Sequence, residues 1–149
     1  MQSTSMGSAW RSNYLGSMLW VVTAADAALG VALALLGEVT VGALILLLAA
    51  SNHLFFMGLG TYEVAEGRAV KKRWWKEAGE VDVGTPGLVV VVKRSGGRES
   101  AGTPPRFTLV DIIFTQAGKE ALRFEAVTLD KARELSAALQ KLGVAVREE

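Results

Sequence analysis

The chain has no cysteine and one histidine, and its sixteen lysines and arginines are matched by fifteen aspartates and glutamates, leaving a formal charge of +1. Each scarcity removes a class of function. Without cysteine there is neither a disulfide framework nor a thiolate metal site. The sole histidine, His53, lies inside an apolar run, so no serine elsewhere has an imidazole to activate it and a nucleophilic triad outside that run is excluded. The balanced charge argues against a nucleic-acid binder. The glycines form neither G-x-G-x-x-G between a strand and a helix nor a P-loop. Glu63 with Glu66, and Glu77 with Glu80 and Asp82, have no histidine beside them, the first pair no third ligand either, and read as solvated surface. No enzymatic activity is expected.

What the chain does have is two uninterrupted apolar runs, Met18 to Gly37 and Val39 to Gly60, separated by little more than Glu38. Each holds about the 20 residues that cross ~30 Å of hydrocarbon as a helix. A transmembrane α-helical hairpin over 17–60 is therefore expected, between a cytoplasmic N-terminal segment (1–16) and a basic juxtamembrane segment (61–78), with a small α+β domain over 79–149. Cations mark the cytoplasmic ends of membrane helices. Arg11 precedes the first run, and Arg68, Lys71, Lys72, Arg73 and Lys76 follow the second, whereas the turn carries only Glu38. Both termini and the domain are thus expected on the cytoplasmic face of a bacterial inner or intracytoplasmic membrane. Trp10, Tyr14 and Trp20 on one side and Tyr62, Trp74 and Trp75 on the other stand where an interfacial aromatic belt would sit, core packing being the alternative. The basic residues with Trp74 and Trp75 form a candidate surface for anionic lipid headgroups.

Polar residues inside a span are costly, and they point to Asp26, Asn52 and His53. If the helices turn near residue 39, Asp26 lies level with Asn52 and His53, and the three can satisfy one another and lock the hairpin. The alternatives are that His53 offers a ring nitrogen to something outside, with Asp26 or Asn52 holding the other nitrogen, or that the cluster contacts a partner subunit. Along the first helix Gly30 and Ala34 share a stripe with Asp26, and Ala24, Ala28 and Ala32 form another, small enough for close approach by a neighbouring helix.

Ala49-Ala50-Ser51-Asn52-His53 resembles the Ala-x-x-x-His element of bacterial light-harvesting antenna polypeptides. That resemblance implies a bacteriochlorophyll whose magnesium is ligated by His53, with Ala49 leaving room for the macrocycle.

Beyond the basic segment the pattern changes to short strands, at Glu80 to Val83, Leu88 to Lys93, Phe107 to Thr115 and Ala121 to Val127, with another possible within Val64 to Lys76. Gly84-Thr85-Pro86-Gly87 reads as a tight turn and Ser95 to Pro105 as a long loop. Leu129, Ala132, Leu135, Leu139 and Leu142 recur at helical spacing, with Thr128 as N-cap and Gly143 just past the end. An antiparallel sheet closed by a C-terminal amphipathic helix is expected.

This order of hairpin, basic stretch, strands and terminal helix resembles bacterial membrane-anchored proteins with a pleckstrin-homology-like domain, a group that includes assembly factors of photosynthetic complexes. The resemblance implies a PH-like sheet. The expected function is that of a non-enzymatic accessory subunit of a larger membrane complex, a photosynthetic reaction-centre and light-harvesting assembly before a respiratory one, in contact with other integral membrane subunits. A lipid-headgroup-binding module is the alternative.

Overall fold

The computed structural model describes residues 9–94 and 103–149; most of the expected 95–105 loop and the start of the N-terminal segment lie outside them. A short strand β1 (Trp10–Asn13) is followed by α1 (Ser17–Leu35) and α2 (Val39–Leu59), the two long apolar helices. Their 19 and 21 residues correspond to about 28 and 31 Å. Both are long and apolar enough to cross a membrane. Gly37, at φ +96°, supplies the left-handed residue between them, and the Glu38 N–H closes back on the Leu33 carbonyl at 3.0 Å.

Among the described residues, eight strands, one further α-helix and a single 3-10 turn at Pro105–Phe107 build the rest. β2 (Thr61–Ala65), β3 (Arg68–Arg73) and β4 (Lys76–Asp82) join β1 in an antiparallel sheet ordered β1-β2-β3-β4. β5 (Leu88–Arg94), β6 (Leu109–Gln116) and β7 (Lys119–Thr128) form the second sheet, to which β8 (Ala145–Glu148) adds in parallel beside β5, in the order β7-β6-β5-β8. α3 (Leu129–Lys141) buries Ala132, Leu135 and Leu139 against one core shared by both sheets, where Tyr62, Phe114, Phe124, Val90 and Ile112 are almost fully enclosed. The helix pair plus small α+β domain is as expected. The single antiparallel sheet is replaced by two sheets, one of them mixed.

Three strands escaped the sequence: one of β2 and β3, since a single strand was expected where both lie, together with β8 and β1. β8 lies in a charged tail, and β1 is four residues long with a partner about fifty positions away: Trp10 faces Val64 and Asn13 faces Thr61. The helix pair is therefore the connection between two neighbouring strands of one sheet. The 61–78 stretch likewise is no free juxtamembrane segment, because β2, β3 and the start of β4 fill it and the expected boundary at 78 cuts β4. Thr128 does stand at the N-cap of α3, but its side chain makes no capping bond and is buried against Gly16.

The helices meet through their smallest residues. A Cβ on Gly42 would come within 2.5 Å of the Gly30 carbonyl oxygen, and one on Gly30 within 2.9 Å of the Gly42 carbonyl. Gly30 and Ala34 thus sit in the contact between α1 and α2. Ala24, Ala28 and Ala32 face outward and are exposed.

Candidate functional site

Two places in the chain combine unusual residues with unusual geometry: the polar spot inside the helix pair, and the foot where that pair meets the sheets.

Inside the pair, His53 is 9% exposed and its Nδ1 lies 2.7 Å from the Thr23 hydroxyl. The same hydroxyl donates to the Leu19 carbonyl at 2.8 Å, an arrangement that suits the neutral tautomer with its proton on Nδ1. Among the described residues Nε2 is the buried side-chain atom left without a hydrogen-bond partner, and the Trp20 ring covers the imidazole at 4.4 Å. The expected Asp26, Asn52 and His53 cluster is not assembled. Thr23 takes the place given to Asp26, and Asn52 is exposed. The cause is the turn. It is centred on Gly37, two residues earlier than supposed, and that moves each facing partner by about four residues, one helical turn. A turn at Gly37 places His53 level with about residue 21, and Thr23, two positions from there, is the hydroxyl that reaches it. Ala49 is buried beside α1 with His53, so the Ala49 and His53 pair that carries the antenna resemblance faces the companion helix.

At the foot, four contacts fasten the helices to the sheets. The Tyr14 N–H donates to the Gly60 carbonyl at 2.8 Å and the Leu15 N–H to the Ala126 carbonyl at 2.9 Å. Ala126, at φ +51°, lies in a bulge of β7 opposite Asp111, whose carboxylate accepts the Ala126 N–H at 3.0 Å. From the other side the Trp74 N–H donates to the Gly58 carbonyl at 2.7 Å, and Arg73 Nε reaches the Leu59 carbonyl at 3.4 Å. These are terminal carbonyls of α2 that have no partner within the helix, and a cation there also suits the helix dipole.

Trp74 and Trp75 form the two-residue turn between β3 and β4, both with positive φ (52° and 61°). For residues with a Cβ this conformation costs about 1–2 kcal/mol each. The Trp74 ring lies so close over Gly58 that a Cβ there would collide with it, and it meets Phe55 edge-on at 5.6 Å. Trp75 is 67% exposed.

The expected headgroup surface divides here. Lys72, Arg73 and Lys76 flank the turn, with Arg73 and Lys76 exposed. Arg68 is at the far end of β3, paired with Glu80. Lys71 points into the protein and is buried, 3.9 Å from Glu125; burial lowers its pKa, and Glu125 only partly offsets this. It alternates with Val70 and Lys72 on a strand whose inner face it shares with Ala69, a placement that a run of three cations conceals. The expected aromatic belt divides as well. Trp10 and Tyr62 are core residues, at 3% and 0% exposure. The Trp10 indole donates to the Lys131 carbonyl at 3.0 Å, and the Tyr62 hydroxyl bonds both the carbonyl and the N–H of Glu125. Trp20, Trp74 and Trp75 remain on the surface near the foot.

No protein-family model, curated protein or solved structure matches the chain. No group of three or more metal-ligating side chains occurs among the described residues.

Proposed function

We propose that the chain is a non-enzymatic accessory subunit of a larger bacterial membrane complex, anchored by α1 and α2 as a transmembrane hairpin and docking its cytoplasmic domain on the face of that complex. The observation that carries this is the surface of the helix pair. Only 11% and 17% of the apolar stretches of α1 and α2 are buried, and Leu29, Leu35, Leu44, Leu47, Leu48 and Leu54 are all more than half exposed. A soluble protein's core helix hides such residues, and so large an apolar surface calls for lipid or other helices. The outward stripe of Ala24, Ala28 and Ala32 suits close approach by a partner helix. Arg11, Lys72, Arg73 and Lys76 lie at the foot while Glu38 lies at the turn, the charge distribution of a hairpin with its foot at the cytoplasmic face.

The domain suits a pleckstrin-homology-like fold, in which β1 to β4 and β5 to β7 supply the seven strands of that type and α3 closes them. The helix pair then occupies the connection between the first two strands, and β8 is an addition. Because the foot has no linker, the domain's pose relative to the bilayer would be fixed, as suits a docking platform. The Ala49 and His53 pair faces the companion helix and so does not by itself choose between a photosynthetic reaction-centre and light-harvesting assembly and a respiratory one; the co-purifying subunits make that choice.

Isolation in a mild detergent tests the proposal: integral membrane subunits should co-purify and name the complex. A protein recovered only as a monomer, from membranes that contain the intact assembly, would count against it.

A further inference from the structure

We propose that the Trp74-Trp75 turn, with Lys72, Arg73 and Lys76, is a foot that seats in the headgroup layer beside the domain and binds anionic phospholipid there. The proposal rests on the membrane reading above. Its first support is residue choice. Among the described residues, three two-residue turns with positive φ at both positions join strands: Glu66-Gly67, Ala117-Gly118 and Trp74-Trp75. Two of them carry glycine in the second position, as this conformation favours. The third carries a second tryptophan and no glycine, so folding alone does not account for its sequence, and strain of this kind concentrates where residues serve another purpose.

Its second support is position. Trp74 lies against Phe55 and Gly58, alongside the last turns of α2, where a spanning helix leaves the hydrocarbon and where tryptophan is favoured. Trp75, beside it at 6.1 Å, is exposed. The turn is thus continuous with the apolar surface of the helix pair. Its third support is charge. Over residues 72–77 three cations stand against one carboxylate, Glu77, which faces Lys72 across the strands. Lys71 and Arg68 are directed elsewhere, so the cations are gathered at the turn itself. A lipid phosphate reached by these side chains is the complementary partner.

The absence of native cysteine permits single nitroxide labels on the full chain in nanodiscs of phosphatidylcholine alone or mixed with phosphatidylglycerol. A label at Ala78→Cys, next to the turn, is expected to become protected from a water-soluble relaxation agent as phosphatidylglycerol is added. Lys72→Gln should raise the phosphatidylglycerol fraction needed about fivefold; Lys72→Gln with Arg73→Gln and Lys76→Gln should abolish the dependence, and Arg68→Gln should leave it unchanged. Trp74→Asn with Trp75→Gly gives the turn its usual residues but gives up the Trp74 packing on Gly58 and Phe55; with the domain's far-UV circular dichroism unchanged, it should still lose the protection. Equal protection in both bilayers, persistence in the triple Gln or the Asn-Gly variant, or an Arg68→Gln effect as large as that of Lys72→Gln would overturn the proposal. A second label at Leu47→Cys separates the two readings. If it is exposed to water, the membrane reading itself fails; if it is protected while the Ala78 label ignores lipid charge, the headgroup proposal alone falls.

Discussion

The helix pair and the two-sheet domain are built inside out with respect to one another. In the domain the large side chains Tyr62, Phe114, Phe124 and Leu135 are inside, and among the described residues Lys71 is the one charged side chain that is buried. In the pair most leucines are outside, and the contact is made by Gly30, Gly42 and Ala49 and by the hydrogen-bonded Thr23 and His53. The difference teaches which force holds each part. Removing apolar surface from water drives the domain together. A helix pair surrounded by lipid gains nothing from that and depends on close backbone approach and on hydrogen bonds between helices.

The sharpest way to break this contrast is to truncate one large side chain on each side. Phe124→Ala removes a ring stacked against Tyr62 and Trp10 and set edge-on to Phe114, and should cost about 3–5 kcal/mol in urea unfolding followed by far-UV circular dichroism. Leu47→Ala, at a position 65% exposed, should change the same measurement by less than about 0.5 kcal/mol. Equal losses would mean that the helix pair is packed as a water-soluble core.

A smaller effect follows from Tyr62. Burial pushes its phenol well above the ordinary value of 10.0, with the Glu125 carboxylate adding to the shift and the backbone bond to Glu125 opposing it. The folded protein therefore keeps the proton after the unfolded chain has lost it, and stability present below pH 10 should decline as pH rises beyond it. Lys71 has the opposite sign. Its lowered folded value means that a penalty for burying charge is relieved as pH rises toward 10.5. In Tyr62→Phe the decline above pH 10 should vanish while the rise from Lys71 remains, at a fixed cost of about 1–3 kcal/mol for the unpaired Glu125 backbone groups. Urea midpoints between pH 8 and pH 11, taken from titration against these two groups' reference values, check both signs.

The smallest effect belongs to the helix contact. Thr23→Val should cost about 0.6–2 kcal/mol in detergent unfolding of the pair, and Asp26→Asn should cost less, since Asp26 does not hold His53. The reverse order would restore Asp26 to the place that a turn at residue 39 gave it.

Much was legible along the chain wherever a pattern is local. The apolar runs gave α1 and α2 within a few residues, and the leucine spacing with Gly143 gave α3, ended by a left-handed glycine at φ +82°. Strands β5, β6 and β7 followed from β-branched runs bounded by turns. The candidate sites were only half legible. Lys72, Arg73, Lys76, Trp74 and Trp75 come together at the foot, but Lys71 and Arg68 do not, because a strand sends alternate residues to opposite faces and a run of basic letters carries no mark of which face is which. The Asp26 to His53 reading failed by one helical turn for a similar reason: depth in a hairpin depends on where the turn closes.

The sequence by itself determined that two apolar helices of spanning length precede a small α+β unit, since hydrophobic run length and periodicity are properties of neighbouring residues. Only the tertiary structure decided that β1 and β2 enclose the helix pair, that Thr23 and not Asp26 meets His53, and that the Trp74-Trp75 turn braces the end of α2. Each of these joins residues far apart in the chain, and such pairings are fixed by backbone hydrogen bonding and packing, which leave no local imprint on composition.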